Sequence, residues 1–253
     1  MDVRVRRELL LELLERKGRV MVSEISALAE VSEMTVRRDL EALEREGALK
    51  RVHGGAISVV STSYEPPFGA RARRNIAAKE RIGRVAGDLL QEGETVILDV
   101  GTTPLEVAKS LRGRRKLTVL TPSLRAAEVL AEEPGIRLMM TGGVVRPGER
   151  SLVGDYAERA FSELRFDTFV MGVGGIHAEA GLTEFNLDDA RVKRGALQSA
   201  QRCVVVADSS KLGRIAFALI CPLEKVDVVV TEADAAPDEL APLEAADVEV
   251  ILA

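Results

Sequence analysis

The apolar positions change period along the chain, and that change divides it. Leu9, Leu10, Leu13 and Leu14 recur at helical spacing and predict an amphipathic helix ended by Gly18. Ile25, Leu28 and Val31 mark a short second helix, with Ser23 as its N-cap. A third helix starts after Ser32, a hydroxyl suited to capping it, and turns Val36, Leu40 and Leu43 inward until Gly47 closes it. The run ALKRVHGGAISVV then sets His53, Gly54 and Gly55 between two β-prone segments, the pattern of a hairpin. Three short helices and a hairpin predict a winged helix-turn-helix over residues 1–58.

Residues 59–75 keep no period, contain Pro66 and Pro67, and read as a linker. From residue 76 strand-like and helical runs alternate. ETVILDV precedes PLEVAKSL, KLTVLT precedes SLRAAEVLAEE, and FDTFVMGV precedes NLDDARVKRGALQSA; IRLMMT, RCVVVA, VDVVVT and VEVILA are further strands. Unbroken Val, Ile and Leu runs between helices predict a parallel sheet buried on both faces. The expected fold class is α/β: the winged helix-turn-helix joined to a larger parallel-sheet domain over 76–253.

Composition narrows the function. Hydrophobic residues make up 46% of the 253 and charged residues 30%, enough for a core under a polar surface. No run reaches the roughly 18 apolar residues of a membrane span, and the N-terminal leucines are interrupted by charges, unlike a signal peptide. A cytoplasmic protein with no membrane partner is expected. Cys203 and Cys221 sit in apolar runs and read as core residues, and His53 and His177 have no metal-ligand spacing. No metal and no cofactor are expected. With no Trp and 3% aromatic residues, a base-stacking platform for single strands is disfavoured.

The net charge of −5 is uneven. Residues 1–60 hold 11 Lys and Arg against 11 Asp and Glu, whereas residues 82–253 hold 19 against 27. A phosphate-binding surface therefore belongs to the N-terminal part. With Val36, Leu40 and Leu43 inward, the third helix leaves Met34, Thr35, Arg37, Arg38 and Glu41 outward. An α-helix fits the major groove, where Arg grips guanine O6 and N7 and Thr meets a thymine methyl. Ser32 and the free N–H groups at the helix start suit a phosphate. In the wing, Lys50, Arg51, His53 and Gly54 would meet the sugar-phosphate strand. The plainer alternative is a solvated face in which the arginines pair with Glu41 and Glu44.

The arrangement as a whole is more specific than its arginines. VSEMTVRRDLEALEREGALKRVHGGA resembles the signature of the DeoR family of bacterial transcription regulators over roughly residues 3–58. The family's Arg-Arg-Asp falls on Arg37, Arg38 and Asp39, and its Arg-Val-His-Gly-Gly-Ala on Arg51 to Ala56.

In the second region each strand runs into small or hydroxylic residues. These are Asp99, Gly101, Thr102 and Thr103 with Pro104 behind them, then Thr121 and Ser123, then Gly142 and Gly143, then Gly174, then Asp208 and Lys211. Thr103 is expected to cap the helix that follows. In an open parallel sheet the ligand crevice lies beyond the carboxyl ends of the strands. Hydroxyls, N–H groups at helix starts and a lysine suit a phosphate and sugar hydroxyls. Taken singly, each segment is also an ordinary βα turn. The dinucleotide fingerprint and the P-loop are absent.

Here too the chain is similar to the DeoR family over about residues 79–232. The matching pieces are Asp99 to Thr103, Ser151 to Gly154, Gly181 to Thr183, Val192 to Arg194 and Asp208 to Lys211. The resemblance implies a fold like that of ribose-5-phosphate isomerase and the CoA transferases, and a phosphorylated sugar as effector, with Asp189 and Lys193 added to the crevice. The chain departs from the family's usual Asp-Ser-Gly at Asp99-Val100-Gly101, its Thr-Asn-Ser at Thr121-Pro122-Ser123, and its Gly-Ala-Asp-Gly-Ile at Gly172 to Ile176. The expected function is a repressor, not an enzyme. It would hold double-stranded operator DNA as a homodimer or homotetramer and be released by a phosphorylated sugar. The alternative is a sugar-phosphate isomerase or acyl transferase with an appended DNA-binding domain, drawing on Asp99, Asp189, Asp208 and Lys211.

Overall fold

The computed structural model describes residues 2–45, 48–58 and 64–253, in two compact units, Met1–Pro66 and Pro67–Ala253. In the first unit α1 (Val3–Lys17), α2 (Val22–Ala29) and α3 (Glu33–Arg45) pack with β1 (Arg19–Met21), β2 (Leu49–Val52) and β3 (Gly55–Ser58). The strands form an antiparallel sheet in the order β1-β3-β2. Leu10, Leu14, Ile25, Val36, Leu40, Leu43 and Leu49 make one core. Each such side chain taken from water contributes about 1.5–3 kcal/mol.

Three expectations are corrected in this unit. The second helix begins at Val22, so Ser23 is inside it; the residue before it is Met21, which makes no side-chain cap. Leu28 is 53% exposed, and Val22 takes its place in the core. The wing gains a strand, because β1 pairs with β3 through Val20↔Ala56. Gly47, read as the end of α3, lies outside the described residues.

The second unit opens with α4 (Phe68–Arg73), a short helix inside the stretch read as linker, followed by α5 (Ile76–Asp88). The Phe68 ring lies under the Arg125 guanidinium at 3.8 Å, which anchors this segment by a contact that no periodicity reveals. The chain continues through β4 (Thr95–Leu98), α6 (Thr102–Ser110), β5 (Leu117–Thr121), α7 (Leu124–Leu130), β6 (Ile136–Met140), β7 (Val144–Arg146), β8 (Ser151–Val153) and α8 (Asp155–Arg159). It ends with β9 (Phe166–Met171), β10 (Gly175–His177), β11 (Gly181–Glu184), α9 (Leu187–Ser199), β12 (Ala200–Val206), β13 (Ala218–Cys221), β14 (Val228–Thr231), α10 (Pro237–Ala245) and β15 (Glu249–Leu252).

Seven of these strands form one sheet in the order β15-β14-β12-β9-β4-β5-β6, with every pairing parallel. Successive residues feed opposite faces. Val96, Leu98, Val204, Val206, Val228 and Val230 pack with α5, α6 and α7, while Ile97, Cys203, Val205 and Val229 pack on the other side with α8, α9 and two small antiparallel sheets. Both faces are thus covered, as the unbroken apolar runs require. Cys203 and Cys221 are buried in the second of these cores, and burial pushes both thiols up. The chain moves outward from β4 through β5 to β6 and later returns to place β9 on the other side of β4. The reversal puts the switch point, where ligands lodge in such sheets, between the ends of β4 and β9.

Candidate functional site

Helix α3 sorts its residues by charge and burial. Ser32 precedes it, with its Oγ 3.3 Å from the Thr35 N–H and 2.9 Å from the Thr35 hydroxyl, so both residues share the capping turn. Met34 is 60% exposed, and Arg37 and Arg38 point to solvent. Arg37 pairs with Glu33 at 3.0 Å across one turn, while Arg38 makes no ion pair with the described residues. Asp39, next in sequence, faces inward at 3% exposure. It accepts hydrogen bonds from Arg6 at 2.5 Å and Arg7 at 3.0 Å, clamping α1 to α3.

The wing presents exposed Lys50, His53 and Gly54, the last with φ +77° in the turn. Behind it Gly55 lets the strands close: a Cβ there would stand 2.0 Å from the Val20 carbonyl oxygen. Arg51 is different. Its guanidinium donates to Glu44 at 2.7 Å and to Glu41 at 2.9 Å, and its N–H reaches Glu44 as well. The pairing that the plain alternative assigned to Arg37 and Arg38 is made instead by Arg51, which ties the wing to α3.

In the second unit the carboxyl end of β4 leads to Gly101, whose φ of +122° only glycine holds without strain and which turns the chain into α6. The helix begins at Thr102 with Gly101 as its cap, two residues ahead of the expectation that made Thr103 the cap. Thr102 and Thr103 are buried in its first turn, where N–H groups have no intrahelical acceptor. After β5, the Thr121 hydroxyl donates to the Leu98 carbonyl at 2.6 Å and Ser123 caps α7 through the Ala126 N–H at 3.1 Å. Both hydroxyls therefore serve the fold. Gly142 and Gly143 lie exposed after β6, both at positive φ. The Gly174 N–H is taken by the Thr183 carbonyl at 2.8 Å.

Asp99, Lys193 and Glu184 close the switch point from within. The Lys193 ammonium bonds to Asp99, lies 2.9 Å from the Gly172 carbonyl and 3.2 Å from Glu184. Asp99 also receives the Gly172 N–H at 2.9 Å. Burial pushes Asp99 up to about 6 against the pull of Lys193; burial opposes the Lys193 charge too, but the surrounding carboxylates keep it firmly protonated. Asp189 sits beside this group and pairs with Arg146 at 2.5 Å.

A second charge centre lies at the end of β12. Asp208 accepts the Ser210 N–H at 3.1 Å and stands 3.4 Å from the buried Lys79 ammonium. Lys211 follows on the same turn. Its ammonium has no hydrogen bond or ion pair among the described residues and lies 5.3 Å from the Phe185 ring centroid, with the Arg214 guanidinium 5.0 Å from the same centroid. Burial, with Arg214 and Arg71 nearby, outweighs the opposing carboxylates of Asp208 and Glu184 and pushes Lys211 down to about 8. Arg6, Arg7, Lys79, Arg146, Glu184, Phe185 and Arg214 were not legible as site residues, because nothing in their local sequence distinguishes them from surface charges. A shallow hollow of about 330 Å³ on β11 and β13, lined by Gly181, Thr183, Phe217 and Leu219 among others, includes none of the predicted crevice residues.

The description "DeoR-like helix-turn-helix domain" matches residues 6–62, and "DeoR C terminal sensor domain" matches residues 74–233. The chain belongs to the DeoR family. It is 35% identical to the HTH-type transcriptional regulator GolR of Listeria innocua, covering 90% of this chain and 89% of that one. To the glycerol-3-phosphate regulon repressor of Escherichia coli strain K12 it is 32% identical, covering 88% of each. Ribose 5-phosphate isomerase A from Methanocaldococcus jannaschii overlays on 54% of each chain at a TM-score of 0.41 and 17% identity. The two matched regions of this DeoR-family chain extend a few residues beyond the spans read from its motifs at the end of the wing and at the start of the sensor. Among the described residues no group of three or more His, Cys, Asp and Glu could hold a metal ion, and no helix is long and apolar enough to cross a membrane.

Proposed function

We propose that this DeoR-family chain represses a sugar or carbohydrate catabolic operon in the cytoplasm and leaves its operator when a phosphorylated sugar fills the crevice at the strand ends. The observation that carries the reading is the Lys211 ammonium. It sits at the carboxyl end of the sheet, pressed toward neutrality and without a hydrogen-bonded carboxylate. An arriving phosphate supplies the missing counter-charge. The first-turn N–H groups at Thr102 and Thr103, with the turn at Gly142 and Gly143, offer donors for the rest of the ligand. Thr121, Ser123 and Gly174 shape the crevice from behind, and Asp99, Lys193 and Asp189 hold its floor.

On the DNA side Arg38, Arg37, Met34 and Thr35 read the major groove while Lys50, His53 and Gly54 meet the backbone; Ser32 and Arg51 position these elements. One such unit gives little operator specificity, so the working form is a homodimer or homotetramer reading paired half-sites. Repression agrees with the similarity to the glycerol-3-phosphate regulon repressor. No cofactor and no turnover belong to this reading.

The test is thermal unfolding of the full chain with a series of sugar phosphates and their unphosphorylated parents. A ligand at 100 times its Kd stabilises by about 2.7 kcal/mol, a shift of a few degrees. Phosphate-dependent shifts are expected; equal shifts with the parent sugars would overturn the phosphate reading. Isomerisation of the same sugar phosphates by the purified chain would replace the regulator with the enzyme.

A further inference from the structure

Lys79 is a buried lysine on α5. At 3% exposure its ammonium is shared among three acceptors: the Arg71 carbonyl at 2.5 Å, the Arg74 carbonyl at 2.7 Å and the Asp208 carboxylate at 3.4 Å. The first two end α4, so Lys79 satisfies carbonyls that the short helix leaves open. The third belongs to the turn that carries Lys211.

Asn75, in a left-handed conformation at φ +52°, forms the elbow between α4 and α5 and donates to the other Asp208 oxygen at 3.3 Å. That same oxygen takes the Ser210 N–H and hydroxyl. One carboxylate thus faces two ways, toward the Lys211 turn and toward the elbow. None of the α4 residues is buried, so the helix is held by the Phe68–Arg125 contact and by polar ties, among them Lys79 at its end and a bond from Arg71 to buried Glu149. In sequence α4 is the first element after the DNA-binding unit, which ends at Pro66.

We propose that Asp208, through Lys79 and Asn75, relays occupancy of the crevice to α4, the segment by which the sensor unit takes up the chain from the DNA-binding unit. The proposal rests on the effector reading above. An anion drawn to Lys211 competes with Asp208 for that cation and moves the 208–211 turn. Asp208 then shifts against Lys79 and Asn75, and the two open carbonyls of α4 shift with Lys79. A buried ion pair is no better at simply holding a fold than a well-packed apolar pair. Unlike an apolar pair, it answers to a charge placed beside it.

The test uses the full chain with glycerol 3-phosphate and inorganic phosphate as probes. Thermal shift reads binding, and hydrogen exchange by mass spectrometry reads residues 67–79. In the wild type, binding should change exchange across 67–79 by about fivefold or more, the lower end of allosteric coupling. Lys79→Met and Asn75→Ala should still bind the probe, but exchange across 67–79 should no longer respond to it. A merely structural role would raise exchange in the variants and keep the response. If Lys79→Met does not fold, Asn75→Ala carries the test. An undiminished response in the variants overturns the relay and leaves the effector site standing. Binding of neither probe to the wild type overturns the effector site and the relay together.

Discussion

Asp39 lies on the inner side of α3, held by Arg6 and Arg7, while Arg38 beside it reaches into solvent with no ion pair among the described residues. One Arg-Arg-Asp run therefore carries two kinds of work, and single substitutions separate them. Asp39→Ala removes the carboxylate that bonds both Arg6 and Arg7 and should cost about 3 kcal/mol in the unfolding of the first unit. Arg38→Ala removes an exposed side chain and should change stability by less than about 0.5 kcal/mol. Its cost falls on operator binding, about 1–3 kcal/mol if it grips a base. Equal melting temperatures for the two variants would reverse the assignment. Lys211 gives a second residue-scale prediction, through pH. Its pKa is pushed down to about 8 without ligand, chiefly by burial, so above that pH binding a phosphate must first restore the proton. Phosphate monoesters lose their second proton near pH 6, at about the lower edge of the useful range. Affinity for a sugar phosphate should therefore peak between about 6 and 8 and fall roughly tenfold per unit above it. Lys211→Met should abolish the alkaline fall and keep the acid one; isothermal titration across pH 5.5–9.5 measures both limbs.

Among elements, Gly55 shows how a small residue fixes a whole wing. A Cβ at this position would meet a backbone oxygen that no rotamer change can move. Gly55→Ala should separate β1 from β3 and cost about 3 kcal/mol, read by unfolding, with operator binding lost in parallel. Unchanged stability would mean that β1 gives way freely. This element also marks where the sequence was readable and where it was not. The seven parallel strands are readable as unbroken apolar runs and α1, α3, α6, α7 and α9 by helical spacing, whereas α5 (Ile76–Asp88) is not singled out. By contrast β1, β7, β8 and β10 have three residues apiece, too short for any period, and exist because a partner strand lies alongside. A cap at Thr103 misplaces the start of α6 by two residues, because the Gly101 turn, and no hydroxyl, sets it. Candidate chemistry followed the same rule. Asp99, Asp208 and Lys211 stood out because they follow strand ends. Arg146, Lys79 and Arg6 meet their partners only through the fold, at sequence separations of 43, 129 and 33.

At the scale of the molecule, charge decides how this protein approaches DNA. The whole chain carries −5, with 19 basic against 27 acidic residues in 82–253, so the bulk of the protein repels a duplex. Attraction is local to the first unit, where Arg37, Arg38 and Lys50 are exposed and Arg51 is already spent on Glu41 and Glu44. At physiological salt the screening length is about 8 Å, so charges farther than that from the duplex weigh little against direct contacts. Three such cations per unit, each displacing about one counterion from the duplex, give a slope of log affinity against log salt near −2.7, and about −5 for a pair of units on one operator. Lys50→Ala should flatten that slope by about 1 per unit and weaken binding to all sequences alike. Arg51→Ala should act differently, because it releases Glu41 and Glu44 beside the reading face: affinity falls with little change in slope. Salt titrations of the two variants, by fluorescence anisotropy on one duplex, discriminate these outcomes. A wild-type affinity that rises with added salt would show that repulsion from the acidic unit governs binding.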